Sequence, residues 1–155
     1  MGERVGAVRV RAAEAGDLEV VRALLVASEL PLDGLTDQFP GGYVVARRAE
    51  GDLVGVAGVE VFADAGLLRS VAVAASVRGT GLGRALVEDR MAWASLRGLG
   101  TVYLLTTTAA DFFARLGWVR IGRDDVPSAV RASVEFASVC PVSATVMRKS
   151  VMADR

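Results

Sequence analysis

The chain has 155 residues, of which 52% are hydrophobic and 23% charged, and no formal net charge. That is enough apolar material for one compact core, and a neutral chain without a basic block gives nucleic acid and anionic membranes nothing to hold. With no histidine the commonest general base and most zinc or haem sites are excluded, the single Cys140 excludes an internal disulfide, and Lys149 is the only lysine among 18 basic residues.

In chain order, Val5 to Arg11 alternates apolar and charged residues and predicts a first strand. Asp17 to Leu30 places Leu18, Val21 and Leu25 on one helical face, and Pro31 stops the helix. Pro31 to Gly42 is a turn-rich loop with room for one helical turn. Gly42 to Arg48 and Leu53 to Phe62 read as two strands joined by the hairpin chemistry of Ala49-Glu50-Gly51-Asp52, and Ala63-Asp64-Ala65-Gly66 leads into a third, Leu67 to Val73. The chain then enters Arg78-Gly79-Thr80-Gly81-Leu82-Gly83-Arg84, after which Leu82, Ala85, Leu86, Trp93 and Leu96 mark an amphipathic helix. Thr101 to Thr107 predicts another strand, and Leu104 to Trp118 reads as strand, short helix and a stop at Gly117, after which the chain is extended again. Pro127 to Ser138 predicts a further helix and Cys140 to Lys149 the last strand. No repeat, linker or 18-residue apolar run interrupts the chain, so a single domain over residues 1–155 and a cytoplasmic location are expected.

The glycine turn carries the chemistry. Glycines at positions 79, 81 and 83 allow positive φ and a close approach to bare N–H groups. Those N–H groups open a helix, where the free donors and the helix dipole favour a phosphate or diphosphate. Arg78 and Arg84 flank the turn and can add charge-assisted contacts. A P-loop needs Lys and then Ser or Thr after its last glycine, whereas Arg84-Ala85 stand here, and the glycine spacing does not match G-x-G-x-x-G.

The spacing R-x-x-G-x-G at Arg78, Gly81 and Gly83, preceded by Leu-Arg-Ser-Val-Ala-Val, resembles the pyrophosphate loop of the GNAT (Gcn5-related) N-acetyltransferases. The element order matches as well. The resemblance implies an α+β, three-layer αβα domain with a mixed, mostly antiparallel sheet and helices on both faces. It also implies acetyl-CoA as cosubstrate, no metal, a small-molecule amine acceptor, and a last strand that can mediate a homodimer. On it, Val71, Ala72 and Val73 would pair with pantetheine. The diphosphate would rest on residues 78 to 84, including Thr80 and Leu82, with Thr106, Phe112, Phe113 and Arg115 completing the cofactor site.

Two positions depart from the family pattern. The glutamate that serves as base in many members corresponds to Leu67, and the tyrosine that protonates the departing thiolate corresponds to Phe113 in Phe112-Phe113-Ala114-Arg115-Leu116-Gly117-Trp118. Glu60, across the hairpin, is the substitute base, with Asp64 second; the alternative is a cross-strand ion pair between Glu60 and Arg69. A charged residue in mid-strand must pair or face a cavity, and facing one, Arg69 would suit an anionic acceptor beside Ser70. Cys140 is either a small buried hydrophobe or a thiol contact in the acceptor pocket.

Residues 53 to 149, notably Gly66 to Ser70, Tyr103 to Ala109 and Glu135 to Ala144, resemble a narrower group, the arsenic-resistance (ArsN-like) N-acetyltransferases, and more distantly the acetyltransferase domain of N-acetylglutamate synthases. These imply transfer to a small, anionic, amino-acid-like amine, with a role in arsenical or antibiotic resistance. The missing glutamate and tyrosine motivate a rival, a non-catalytic acyl-CoA-binding sensor. Acetylation of a protein N-terminus or lysine ranks last, because no acidic patch marks a peptide groove.

Overall fold

The computed structural model describes residues 8–138 and 144–151. Within them the chain runs β1 (Val8–Ala12), α1 (Leu18–Ala27), α2 (Leu35–Gln38), β2 (Tyr43–Arg48), β3 (Leu53–Phe62), β4 (Ala65–Val73), α3 (Leu82–Leu96), β5 (Thr101–Thr106), α4 (Ala110–Arg115), β6 (Val119–Ile121), α5 (Ser128–Arg131), α6 (Val134–Ser138) and β7 (Thr145–Ser150). The strands form one seven-stranded sheet in the order β1-β2-β3-β4-β5-β7-β6. All neighbours are antiparallel except β4 and β5, which run parallel and pair only over Ala65–Leu67 and Thr101–Tyr103. Beyond Leu67 the two strands part, which opens the middle of the sheet.

Helices cover both faces, giving the expected α+β, three-layer αβα architecture. On one face Val21 and Leu25 of α1 pack with Tyr43, Val45, Val56 and Ala72, and Val130 and Phe136 of α5 and α6 pack with Leu67, Tyr103 and Val146. On the other, Leu82, Leu86, Val87 and Ala94 of α3 meet Val44, Ala57, Val59 and Leu68, joined by Phe113 of α4. The start of α1 is fixed by Asp17, whose buried carboxylate takes Arg11 at 3.0 Å and Arg47 at 2.7 Å. Those arginines, Arg11 first, hold the carboxyl well below the usual range against the cost of burial.

Three expectations change. Leu96 does not join the buried face of α3 and is 90% exposed, while Arg90 is buried, donating to the Gly42 carbonyl at 2.8 Å with its guanidinium 5.1 Å from the Trp93 ring centre. The helix expected over Pro127 to Ser138 is two short helices, because the Ser133 hydroxyl accepts from the Phe136 N–H at 3.3 Å and caps a new start. The last strand begins at Thr145, not Cys140, which lies outside the described residues, as do residues 5–7 of the first strand.

Candidate active site

The parting of β4 and β5 is reinforced by a bulge. Gly58 pairs with Arg69 and Val56 with Ala72, so β4 holds one residue more than β3 across the same span. Ser70 adopts φ +60° there, a left-handed conformation in a residue with a Cβ, at a strain of about 1–3 kcal/mol. Strain of this size persists where neighbouring contacts over-determine it. Here the Arg69 Nε–H donates to the Ser70 Oγ at 3.1 Å.

Two cavities meet at this gap. One, of about 300 Å³, lies between β4, β5, the α1–α2 loop at Ser28 to Pro31, and Glu135 of α6. The other, of about 530 Å³, runs along the glycine turn to Phe112. Val71, Val73, Arg78, Ala109 and Phe113 line both, so a single ligand can pass from one into the other.

The turn beside the second cavity takes left-handed backbone at two of its three glycines, while Gly83 lies inside α3. Gly79 and Gly81 take φ +80° and +90°, a Cβ on either would meet open space, and both line this cavity. Gly81 is the N-cap of α3, and Leu82, Gly83 and Arg84 form its first turn. The Arg78 Nε–H donates to the Val73 carbonyl at 3.2 Å, which pins the loop to the end of β4. Arg84 lines the cavity while pairing with Glu88 at 2.9 Å on the exposed helix surface.

The first cavity has a charged wall, on the face of the sheet that carries α1 and α6. The Arg69 side chain has no exposed surface, and its Nη1 reaches Glu60 at 3.4 Å and its Nε reaches Glu135 at 3.0 Å. Its Nη2 donates to the Pro31 carbonyl at 3.5 Å. Two buried carboxylates thus share one guanidinium. Burial pushes both carboxyls up against the pull of Arg69, and Glu135 rises to about 7. The hydroxyl of Tyr43, whose ring fills the space above Gly58, is buried near Arg69, Glu60, Glu135 and Ser70 without a hydrogen-bond partner among the described residues.

Against this geometry the sequence candidates sort as follows. Arg69, Ser70, Val71, Ala72, Val73, Arg78, Thr106 and Phe113 line the first cavity, and Gly79, Gly81, Leu82, Gly83, Arg84 and Phe112 the second. Thr80 lines neither, its hydroxyl donating to the Val77 carbonyl at 2.6 Å, and neither does the exposed Arg115. Glu60 also lines neither cavity and takes the cross-strand ion pair with Arg69. Asp64 is exposed in the β3–β4 turn, at the closed end of the β4–β5 pair. Cys140 lies outside the described residues. Glu135 was not singled out by sequence reasoning: it sits in an ordinary helical stretch, and only the fold brings it to Arg69. Its one signal was its place inside a stretch with family resemblance.

The two departures from the family pattern have structural reasons. Leu67 is fully buried among Tyr103, Val126, Val130 and Phe136, a setting that would penalise an ionised carboxylate. Phe113 packs edge-on between Phe112 and Trp118, with ring centres 5.0 and 5.9 Å away. It forms an apolar wall shared by both cavities. Among the described residues no helix is long and apolar enough to cross a membrane.

Solved structures share the fold. N-acetylglutamate synthase from Neisseria gonorrhoeae, complexed with coenzyme A and N-acetyl-glutamate, superposes with a TM-score of 0.81 at 22% identity over 94% of this chain. The present chain spans only 35% of that enzyme's length. Rv2747 from Mycobacterium tuberculosis, in complex with CoA, gives 0.78 at 24% identity over 92% of this chain and 99% of its own. A GNAT-family acetyltransferase from Staphylococcus aureus Mu50 gives 0.79 at 14% identity, covering 94% of this chain and all of its own. The family model for the acetyltransferase (GNAT) domain matches residues 40–120, from the end of the loop that follows α1, through the glycine turn, to β6. With a split β4–β5 pair, a glycine turn opening α3 and more than half its length matched, the chain belongs to the GNAT family of acetyltransferases.

Proposed function

We propose that the protein transfers the acetyl group of acetyl-CoA directly, in a ternary complex, to the amine of a small, anionic, amino-acid-like acceptor. The observation that carries this reading is the shared wall of the two cavities. The larger takes the nucleotide end of the cofactor, with the diphosphate on the N–H groups of Gly79 to Arg84. Pantetheine lies in the gap, its amides pairing with the edge of β4 around Val71 and Val73. The thioester then stands at the bulge, where backbone N–H groups can hold the developing oxyanion. The amine attacks from the smaller cavity. A stable acyl-cysteine intermediate is not part of this reading, since the chain has no histidine to activate a thiol.

An anionic acceptor is supported by Arg69. Its Nη1 and Nε edges are taken by the two glutamates, but among the described residues Nη2 has only the long contact to Pro31, which an acceptor carboxylate, phosphinate or arsenate-like group can replace with a charge-assisted bond. The gonococcal synthase was crystallised with an N-acetylated acidic amino acid, which fits the same chemistry. A role in arsenical or antibiotic resistance extends it to arsenic- or phosphorus-bearing amino acids.

The test is CoA release from acetyl-CoA across glutamate, phosphinothricin, arsenical amino acids, alanine and lysine. We expect kcat/KM about 10-fold or more higher for the anionic members, the discrimination that one charge-assisted contact supplies. A preference for lysine would contradict the acceptor class. No release with any member, with acetyl-CoA still raising Tm, would contradict transfer to such acceptors.

A further inference from the structure

The acetyl-transfer reading leaves the proton unassigned. An acceptor amine arrives as an ammonium ion, and the position that supplies a carboxylate base in many relatives is Leu67, sealed in an apolar cluster. Resting on that reading, we propose that Glu135, delivered from α6 rather than from the sheet, is the proton acceptor of the transfer reaction.

The argument is one of position. Of the two carboxylates that share Arg69, only Glu135 lines the cavity in which the acceptor would sit; Glu60 lies behind the guanidinium and lines neither cavity. Glu135 retains 6% of its side-chain surface, and its Oε1 is fixed at 3.0 Å from the Arg69 Nε. The same Nε donates to Ser70, at the bulge where β4 turns its backbone toward the gap. One arginine therefore fixes the carboxylate and the bulge relative to each other. Ser70, Val71 and Glu135 line a single cavity, which puts a proton acceptor beside the position of the thioester.

The charges around Glu135 suit the task. Arg69 of β4 favours its ionised form, Glu60 of β3 and Asp33 of the loop before α2 oppose it, and the Tyr43 hydroxyl of β2 completes the enclosure. Two carboxylates and one guanidinium out of water hold one excess negative charge unless a proton is bound, so the group is poised to take one near neutrality, as a general base should be. In the reaction the ammonium gives one proton to the Glu135 carboxylate. The free amine nitrogen forms a bond to the thioester carbonyl carbon, the C–S bond breaks, and the second N–H proton of the tetrahedral adduct leaves with the thiolate as CoA-SH. Glu135 then returns its proton to water.

The test compares two nucleophiles on the intact protein between about pH 6 and pH 9. L-glutamate presents an ammonium group and needs a base, whereas hydroxylamine has an unprotonated nitrogen through most of this range and does not. In the wild type, kcat/KM for glutamate should fall as pH drops through about 7, the value near which Glu135 takes up its proton. Glu135→Gln should lose about 100-fold or more in kcat with glutamate, together with that acidic limb. It should remain within about 3-fold of wild type with hydroxylamine and bind acetyl-CoA as tightly, because neither requires an ammonium group to be deprotonated first. Equal losses with both nucleophiles in Glu135→Gln would show a structural role and overturn the proposal. So would an unchanged glutamate rate in Glu135→Gln, or wild-type turnover of hydroxylamine alone with every ammonium acceptor inert. No CoA release with either nucleophile would instead sink the acetyl-transfer reading on which the proposal rests.

Discussion

Arg69→Ala is expected to lower the free energy of unfolding by about 3–5 kcal/mol, read as a fall in the urea midpoint at unchanged m-value. The size follows from what the arginine holds. Its side chain is wholly buried, it is the charged partner of Glu60 and Glu135, and it also reaches Ser70 and Pro31. Removing it leaves two carboxylates in a setting that already resists ionisation, and a space where the side chain lay. Both must protonate or draw in water. Arg69→Lys retains the charge but not the planar fork, so it cannot engage both glutamates and Ser70 together and should fall between wild type and alanine. A loss below about 1 kcal/mol for Arg69→Ala would mean that the cluster is solvated and that the acceptor wall described above is wrong.

Gly81→Asp is expected to weaken acetyl-CoA binding about 100-fold, equivalent to about 2.7 kcal/mol, while costing the free protein only about 1 kcal/mol. Gly81 stands at φ +90° with open space where a Cβ would project. Aspartate is among the residues that tolerate left-handed backbone best, so the fold survives. The new carboxylate, however, projects beside the first turn of α3, Arg78 and Arg84, where the diphosphate is proposed to rest. Like charges a few ångströms apart on a partly desolvated surface repel by several kcal/mol before screening. The loss should shrink as salt is added. Calorimetric titration at two salt concentrations measures both effects; a salt-independent loss, or none, would place the diphosphate elsewhere.

What the sequence disclosed and what it withheld follow from the range of the interactions. The glycine turn, its arginines and the helix after it are local in the chain, and residue spacing alone located the turn and its helix. The apolar strands β2, β3 and β4 and their short turns were legible for the same reason. Leu96 was misplaced because helical periodicity gives a stripe but not where the neighbouring layer ends, and α3 outruns the sheet at its C-terminus. The break at Ser133 was hidden because a serine inside a helical pattern declares itself a cap only when its hydroxyl finds the N–H three residues on. Arg69 was recognisable as a charge needing a partner, and Glu60, nine residues earlier across a hairpin, was within reach of strand arithmetic. Glu135 was not, since nothing local marks a glutamate on a five-residue helix as the second partner of a distant arginine.

The central claim is that one acetyl-CoA molecule spans both cavities through the gap between β4 and β5. Amide hydrogen exchange with and without acetyl-CoA tests it most directly. Slowed exchange is expected in two separate segments at once, Val71 to Val73 at the open edge of β4 and Gly79 to Gly83 in the turn, with β6 at the far edge of the sheet unchanged. Protection of the turn alone, with the edge of β4 exchanging as freely as in the unliganded protein, would contradict it.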